Sequence, residues 1–147
     1  MLRDPIVVGT DGSASAELAV DRAGELAQAL ATPIHVVSAY SSTPAGAWMA
    51  AASGVVVSDV SSEDAQTAAE EVVARTSERL QSRGLTVRTH VCCGEPAQML
   101  TSIADSEHAQ MIVVGNRGMS GARRVLGSVP NSVSHRASCG VLIVPTC

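Results

Sequence analysis

The strongest constraint on the fold is a regular alternation between short apolar runs and segments with helical periodicity. The apolar runs are rich in Val and Ile and lie at 6–8, 34–40, 85–92, 111–114 and 141–144. Apolar strands without strict alternation are buried on both faces, which requires a parallel sheet between two layers of helices. The alternation therefore predicts an α/β fold: a single doubly wound, five-stranded parallel sheet with helices on both faces, a Rossmann-like architecture.

The helical segments carry their own start and stop signals. Ser13 can cap a helix in which apolar residues recur every three or four positions up to Leu30. A pattern of Ser61 and Asp64 begins a second helix, and Gly84 ends it in the left-handed conformation. Further helices are predicted from Pro96 and over 128–137. The 147 residues are predicted to form one domain, 1–147, interrupted by a flexible loop at 41–58 that is rich in Ser, Ala and Gly.

Composition excludes several functional classes. All ten basic residues are arginines, so the chain has no lysine for a Schiff base or a Walker A motif. The net charge of −4 and the scarcity of aromatic residues argue against nucleic acid and anionic membranes as partners. The chain has no long apolar run, and its first residues do not resemble a signal peptide, so we expect a cytoplasmic protein. The spacing of its four cysteines favours free thiols over a zinc site.

In sheets of this kind, ligands bind beyond the carboxyl ends of the strands, where the strand order reverses. The loops at 9–13, 39–45 and 115–128 are therefore the candidate binding loops. The last of these contains Gly115, Gly118, Gly121 and Gly127, and it ends at Ser128, where a helix is predicted to begin. Glycine permits close approach of a ligand, and the free amides of a helix N-terminus bind phosphate oxygens. The alternative is a flexible connector with solvated arginines.

An acidic residue, Asp11, follows the first strand. Its carboxylate can accept a hydrogen bond from a ribose hydroxyl or an adenine amine, although for Asp11 taken alone a role in shaping the turn is the favoured explanation. Neither a Walker A motif nor a G-x-G-x-x-G motif is present, which disfavours P-loop ATPases and nicotinamide-dependent dehydrogenases.

Two blocks of this sequence resemble the universal stress proteins. They are Val7-Val8-Gly9-Thr10-Asp11-Gly12-Ser13 and the segment from Val113 through Gly127-Ser128-Val129-Pro130. The closing run 141–144 fits the same pattern, so the resemblance spans essentially the whole chain. The nucleotide-binding branch of that family carries G-x2-G-x9-G followed by Ser or Thr. Here eight residues, not nine, separate Gly118 from Gly127.

The resemblance implies a fold of the adenine nucleotide alpha hydrolase-like type and a site for ATP or another adenine nucleotide. Asp11, with Thr10 beside it, would take the adenine or ribose side, the backbone of Ala39 would meet the adenine, and Val114 and Gly115 would lie under the ribose. The phosphates would be held by the residues around the loop: Arg117, Gly118, Gly127, Ser128 and Val129. The chain has no carboxylate pair dedicated to Mg²⁺, so any Mg²⁺ would bind together with the phosphates.

The sequence contains no recognisable catalytic set. His35 and His90 lie in predicted strands, where packing is the simpler explanation, and His108 and His135 are expected to be exposed. We therefore expect a homodimeric, non-catalytic or very slowly hydrolysing nucleotide-binding protein, in which the last strand, 141–144, pairs with its counterpart in a second copy. A cyclic AMP-binding member, a nucleotide-free interaction module and, least favoured, an ATP-cleaving enzyme are the alternatives.

Overall fold

The computed structural model describes residues 3–41, 62–116 and 128–145, and the fold is described within those ranges. Along the chain the elements are β1 (Ile6–Gly9), α1 (Ala14–Leu30), β2 (Ile34–Tyr40), α2 (Ser62–Gln81), β3 (Val87–Cys93), α3 (Pro96–Ser106), β4 (Met111–Gly115), α4 (Ser128–Arg136) and β5 (Gly140–Val144). The predicted segment 41–58 lies outside the described residues except for its first position. No helix in the described ranges is long and apolar enough to span a membrane.

The five strands form one parallel sheet in the order β3-β2-β1-β4-β5. The chain builds outward from β1 through β2 to β3, and then crosses to the other side of β1 to form β4 and β5. The strand order therefore reverses between β1 and β4. The predicted doubly wound parallel sheet is confirmed, and its switch point lies where Gly9 and Gly115 end neighbouring strands.

Helices cover the sheet on both faces. Residues of α1 and α2, such as Val20 and Leu80, pack with Ile6 and Val36 on one face. On the opposite face, Val7, Val37 and Ile112 pack with Leu100 of α3 and Val133 of α4, in a second cluster. Both faces of β1 are fully buried, which explains why its sequence is continuously apolar.

Three of the predicted end signals act as expected, while Ser61 lies outside the described residues. The Ser13 hydroxyl accepts a hydrogen bond from the amide of Ala16 at 3.3 Å, and Gly84 ends the second helical segment with φ +82°. Pro96 occupies the first turn of α3, and the Glu95 carboxylate accepts bonds from the amides of Ala97 and Gln98 at 3.1 and 2.9 Å. These contacts satisfy amides that have no partner within the helix.

The predicted start of the third strand, at Leu85, is wrong. The strand begins at Val87, because Leu85 closes the end of α2 by donating its amide to the carbonyl of Leu80. In α2 the buried residues are Ala69, Val73, Thr76 and Leu80. β3 is also less buried than a central strand, since it forms an edge of the sheet.

Candidate functional site

A cleft opens at the switch point, beyond the carboxyl ends of β1, β2 and β4. Its described walls combine residues from those strands, from the first turns of α1 and α3, and from the start of α4. The lining residues are Gly9, Thr10, Asp11, Ser13, Ser15, Ala16, Val37, Ala39, Pro96, Leu100, Val114, Gly115, Val129 and Pro130. Most of these side chains are apolar, so the cleft offers a largely apolar surface with a few polar groups at one side.

The polar side of the cleft is a tight turn after β1. The amide of Thr10 donates to the carbonyl of Val37 at 2.9 Å, which ties the turn to β2. The Thr10 hydroxyl accepts from the amide of Gly12 at 3.1 Å, and the Asp11 carboxylate accepts from the amide of Ser13 at 3.0 Å. Asp11 therefore shapes the turn, which is one of the two roles that the sequence predicted for it. A carboxylate has about four acceptor positions, so the same side chain can also receive a hydrogen bond from a ligand.

Gly9 provides the space at the base of the cleft. A Cβ atom at this position would lie 3.0 Å from Cδ1 and 3.2 Å from Cδ2 of Leu100. Such contacts are too close for ordinary side chains, so the absence of a Cβ lets α3 approach the end of β1. Leu100 therefore forms part of the cleft wall, although the sequence analysis did not assign this residue to the site.

The opposite side of the cleft is formed by the start of α4. Ser128 is the first residue of this helix, as predicted, and Val129 and Pro130 line the cleft. The first amides of a helix have no intrahelical carbonyl partners and carry partial positive charge. The exposed Ser128 is not itself a lining residue of the cleft, but it lies next to one.

The structure thus brings together most of the predicted residues that it describes. Thr10, Asp11, Ala39, Val114, Gly115 and Val129 share the cleft. The remaining predicted residues, Arg117, Gly118 and Gly127, lie outside the described residues. After β4 the described chain extends to the buried Asn116, whose amide donates to the carbonyl of Val144 at 3.0 Å.

Six lining residues lie outside both the candidate loops and the predicted site residues: Ser15 and Ala16 of α1, Val37 of β2, Pro96 and Leu100 of α3, and Pro130 of α4. One signal could have found Leu100. A glycine that ends a buried strand next to a ligand-binding loop implies that something approaches closely there. The approach of the other five residues to the cleft is set by tertiary packing, and they carried no comparable signal.

The chemistry of the described part of the cleft is that of a binding surface. Its only ionisable lining side chain is Asp11, and the rest are hydroxyl, aliphatic and backbone groups. The cleft has a hydrogen-bond acceptor on one side, helix amides on the other and apolar walls between them. This arrangement suits a ligand with a polar donor, a planar apolar body and an anionic end.

Comparison with known proteins shows which family this chain is similar to. The sequence profile of the Universal stress protein family matches residues 3–145. The universal stress protein Rv1636 of Mycobacterium tuberculosis is 42% identical over 144 residues, which cover 96% of this chain and 95% of that protein.

Two solved structures are also similar. A crystal structure of a universal stress protein in complex with cAMP covers 100% of both chains, with 32% identity and a TM-score of 0.71. The structure of the universal stress protein from Archaeoglobus fulgidus in complex with dAMP is 27% identical over 97% of this chain and 98% of that one, with a TM-score of 0.71.

Proposed function

The chain belongs to the universal stress protein family, and from this premise we propose that it binds an adenine nucleotide in the cleft at the switch point. The observation that carries the proposal is the cleft itself, where Asp11, Ala39 and Val114 from three different strand ends face the start of α4. The relatives solved with cAMP and with dAMP support an adenine ligand for this fold.

Each part of such a ligand has a suitable counterpart. The apolar walls formed by Val37, Ala39 and Leu100 can cover the faces of a purine, and Asp11 can accept from an adenine amine or a ribose hydroxyl. Phosphate oxygens would then lie at the N-terminus of α4, where amides and the Ser128 hydroxyl can donate. We assign Arg117, Gly118 and Gly127 to the same phosphate group on the resemblance alone. Any Mg²⁺ would accompany the phosphates.

Two nucleotides are specific candidates. ATP follows from the glycine pattern of the 115–128 segment, with its charge met by the arginines of that segment. Cyclic AMP is favoured by the relative that is 32% identical over the whole chain and was solved with this ligand. We propose that either nucleotide acts as a ligand that orders the protein and not as a substrate, because the described lining residues include no pair of nucleophile and base.

Calorimetric titration with ATP, ADP, AMP and cyclic AMP tests this proposal. We expect a saturable heat with at least one of them, and we expect the double variant Gly118→Ala with Ser128→Ala to weaken that binding by at least about tenfold. The reason is that a hydrogen bond to a charged group contributes about 1.5–3 kcal/mol, and the double variant removes one such donor and crowds the loop.

The control for this experiment is Ser102→Ala, which removes an exposed serine hydroxyl from α3. It should leave the binding unchanged. If none of the four nucleotides gives heat at millimolar concentration, or if the double variant binds as well as the unmodified protein, the nucleotide-free interaction module becomes the better account.

We further propose a homodimer through β5. This strand is an edge of the sheet, and Val141, Leu142 and Ile143 are only half-buried in the single chain. An apolar edge strand is prone to pair with another chain. Pairing of β5 with its own counterpart around a two-fold axis covers the β5 edge of each copy. Sedimentation equilibrium should give twice the 15.0 kDa mass of one chain, and a monomer at all concentrations up to about 100 μM would contradict the dimer.

A further inference from the structure

Two histidines and a glutamate lie together away from the cleft, on the face of the sheet that α3 covers. His35 is the second residue of β2, His90 lies in β3, and Glu107 follows the last residue of α3. The register pairs His35 with Arg88 and Val37 with His90, so both histidines occupy the same face of the sheet, with His35 near the amino end of β2 and His90 in the middle of β3. None of the three lines the nucleotide cleft.

The ligand-capable atoms of these residues converge. Nδ1 of His35 lies 2.9 Å from Nε2 of His90, and one atom from each imidazole and from the Glu107 carboxylate all lie within 4.8 Å of one another. The two rings stack with centroids 5.1 Å apart and an angle of 22° between their planes. Only 3% of His35 is exposed, while His90 and Glu107 are half-buried, so one side of the group is open to solvent.

We propose that Nδ1 of His35, Nε2 of His90 and the carboxylate of Glu107 form a binding site for a divalent transition-metal ion, with Zn²⁺ as the best match. Two imidazoles and one carboxylate are a zinc ligand set, and a water molecule can complete four-fold coordination from the open side. Imidazole nitrogens favour Zn²⁺, Ni²⁺ and Cu²⁺ over Mg²⁺ and Ca²⁺, which prefer oxygen ligands.

The distances require little rearrangement. Nitrogens at about 2.0–2.1 Å from one ion lie about 2.9 Å apart at a right angle and about 3.3 Å apart at the tetrahedral angle. The observed separation of 2.9 Å is therefore close to that of two nitrogens on a shared ion. Glu107 has to move toward the imidazoles, and its side chain is free enough to do so, because it is 32% exposed and its ion pair with Arg88 is long, at 3.9 Å.

The electrostatic surroundings suit this role. Burial lowers the pKa of both imidazoles from the usual value of 6.5, and for His35 the neighbouring His90 lowers it further. The neutral form of an imidazole is the one that presents a lone pair to an ion. Without an ion, one ring donates its N–H to the other, and the ion would take the place of that shared proton.

Bound zinc would connect β2, β3 and the end of α3 through one ion. β3 is an edge strand, β2 is its only partner in the sheet, and Glu107 marks the end of α3. Coordination would fasten the edge strand to the end of α3, and binding to the folded state alone would stabilise the protein.

Calorimetric titration of the chelator-treated full chain with ZnCl₂ tests the proposal. We expect one ion per chain. At about 100 times the dissociation constant, Zn²⁺ should raise the melting temperature by about 5–10 °C, whereas MgCl₂ should have no such effect. Co²⁺ bound in place of Zn²⁺ should show the absorption of a nitrogen and oxygen site without a thiolate charge-transfer band.

The variants His90→Gln and Glu107→Gln should each weaken zinc binding by about 100-fold or more, because loss of an outer-shell partner alone costs about 10–100-fold. His135→Gln, which removes an exposed histidine on α4, is the matched control and should bind as the unmodified protein does. Glu107→Gln alters a half-exposed residue, so it tests the site even if His90→Gln fails to fold.

Three results would overturn the proposal. They are the absence of binding at micromolar Zn²⁺, full retention of binding in Glu107→Gln, and loss of binding in the double variant Cys92→Ser with Cys93→Ser while His90→Gln still binds. The last result would assign the ion to the thiols of β3.

Discussion

Replacing Ala39 by phenylalanine is expected to abolish nucleotide binding, with a loss of affinity of at least about 100-fold. Ala39 is half-buried near the carboxyl end of β2 and lines the cleft beside Val37. A benzyl group at this position would fill the space assigned to the purine. A nucleotide could enter only by displacing that group, which would lose its apolar contacts with the cleft walls. Calorimetric titration with the nucleotide that binds the unmodified protein most tightly measures the effect.

The matched control is Ala68→Phe, which places the same side chain on the exposed face of α2. It should bind the nucleotide as the unmodified protein does. Both variants should retain the fold, since Ala39 borders an open cleft and not a closed core. Circular dichroism and thermal unfolding of both variants check this. Normal binding by a folded Ala39→Phe variant would show that the nucleotide lies elsewhere.

Truncation of Leu80 to alanine is expected to lower the free energy of unfolding by about 2–5 kcal/mol. Leu80 is fully buried in the last turn of α2, in the cluster that joins α1 and α2 to the sheet. Its removal leaves a cavity between two helices that are tightly fitted there, since a Cβ at Gly24 would lie 3.0 Å from Cδ2 of Leu80. A loss of this size is a large share of the about 5–15 kcal/mol that stabilises a typical domain.

Leu18→Ala is the control for this prediction, because it makes the same chemical change in a helix at a position that is 48% exposed. Its effect should lie within about 0.5 kcal/mol of zero. Urea unfolding of both variants, with equal slopes, gives the comparison. Similar losses at Leu18 and Leu80 would mean that α2 does not cover this face of the sheet as described.

Much of the fold could be predicted because its signals are local. The continuously apolar runs at β1 and β4 result from burial on both faces of a central strand, and the sequence shows this directly. Ser13 and Gly84 act through bonds and backbone angles within a few residues of themselves. The parallel topology then required the strand ends with Asp11 and Gly115 to meet, and they do.

The parts that were missed depend on contacts between distant segments. Leu100 reaches the cleft because α3 crosses the end of β1, and nothing near Leu100 in the sequence indicates this contact. His35 and His90 were interpreted as separate packing residues. Their pairing depends on the register between β2 and β3, which places Val37, not His35, opposite His90. A shift of the register by one residue would have put the two imidazoles on opposite faces.

The central claim is that an adenine nucleotide lies in the cleft between the turn after β1 and the start of α4. A crystal structure of the protein with cyclic AMP or ATP tests it most directly. The account predicts a purine packed against Ala39 and Leu100 with Asp11 at its polar side, and phosphate oxygens at the first amides of α4. A well-ordered nucleotide bound away from this cleft, or with its phosphate turned toward Asp11, would contradict it.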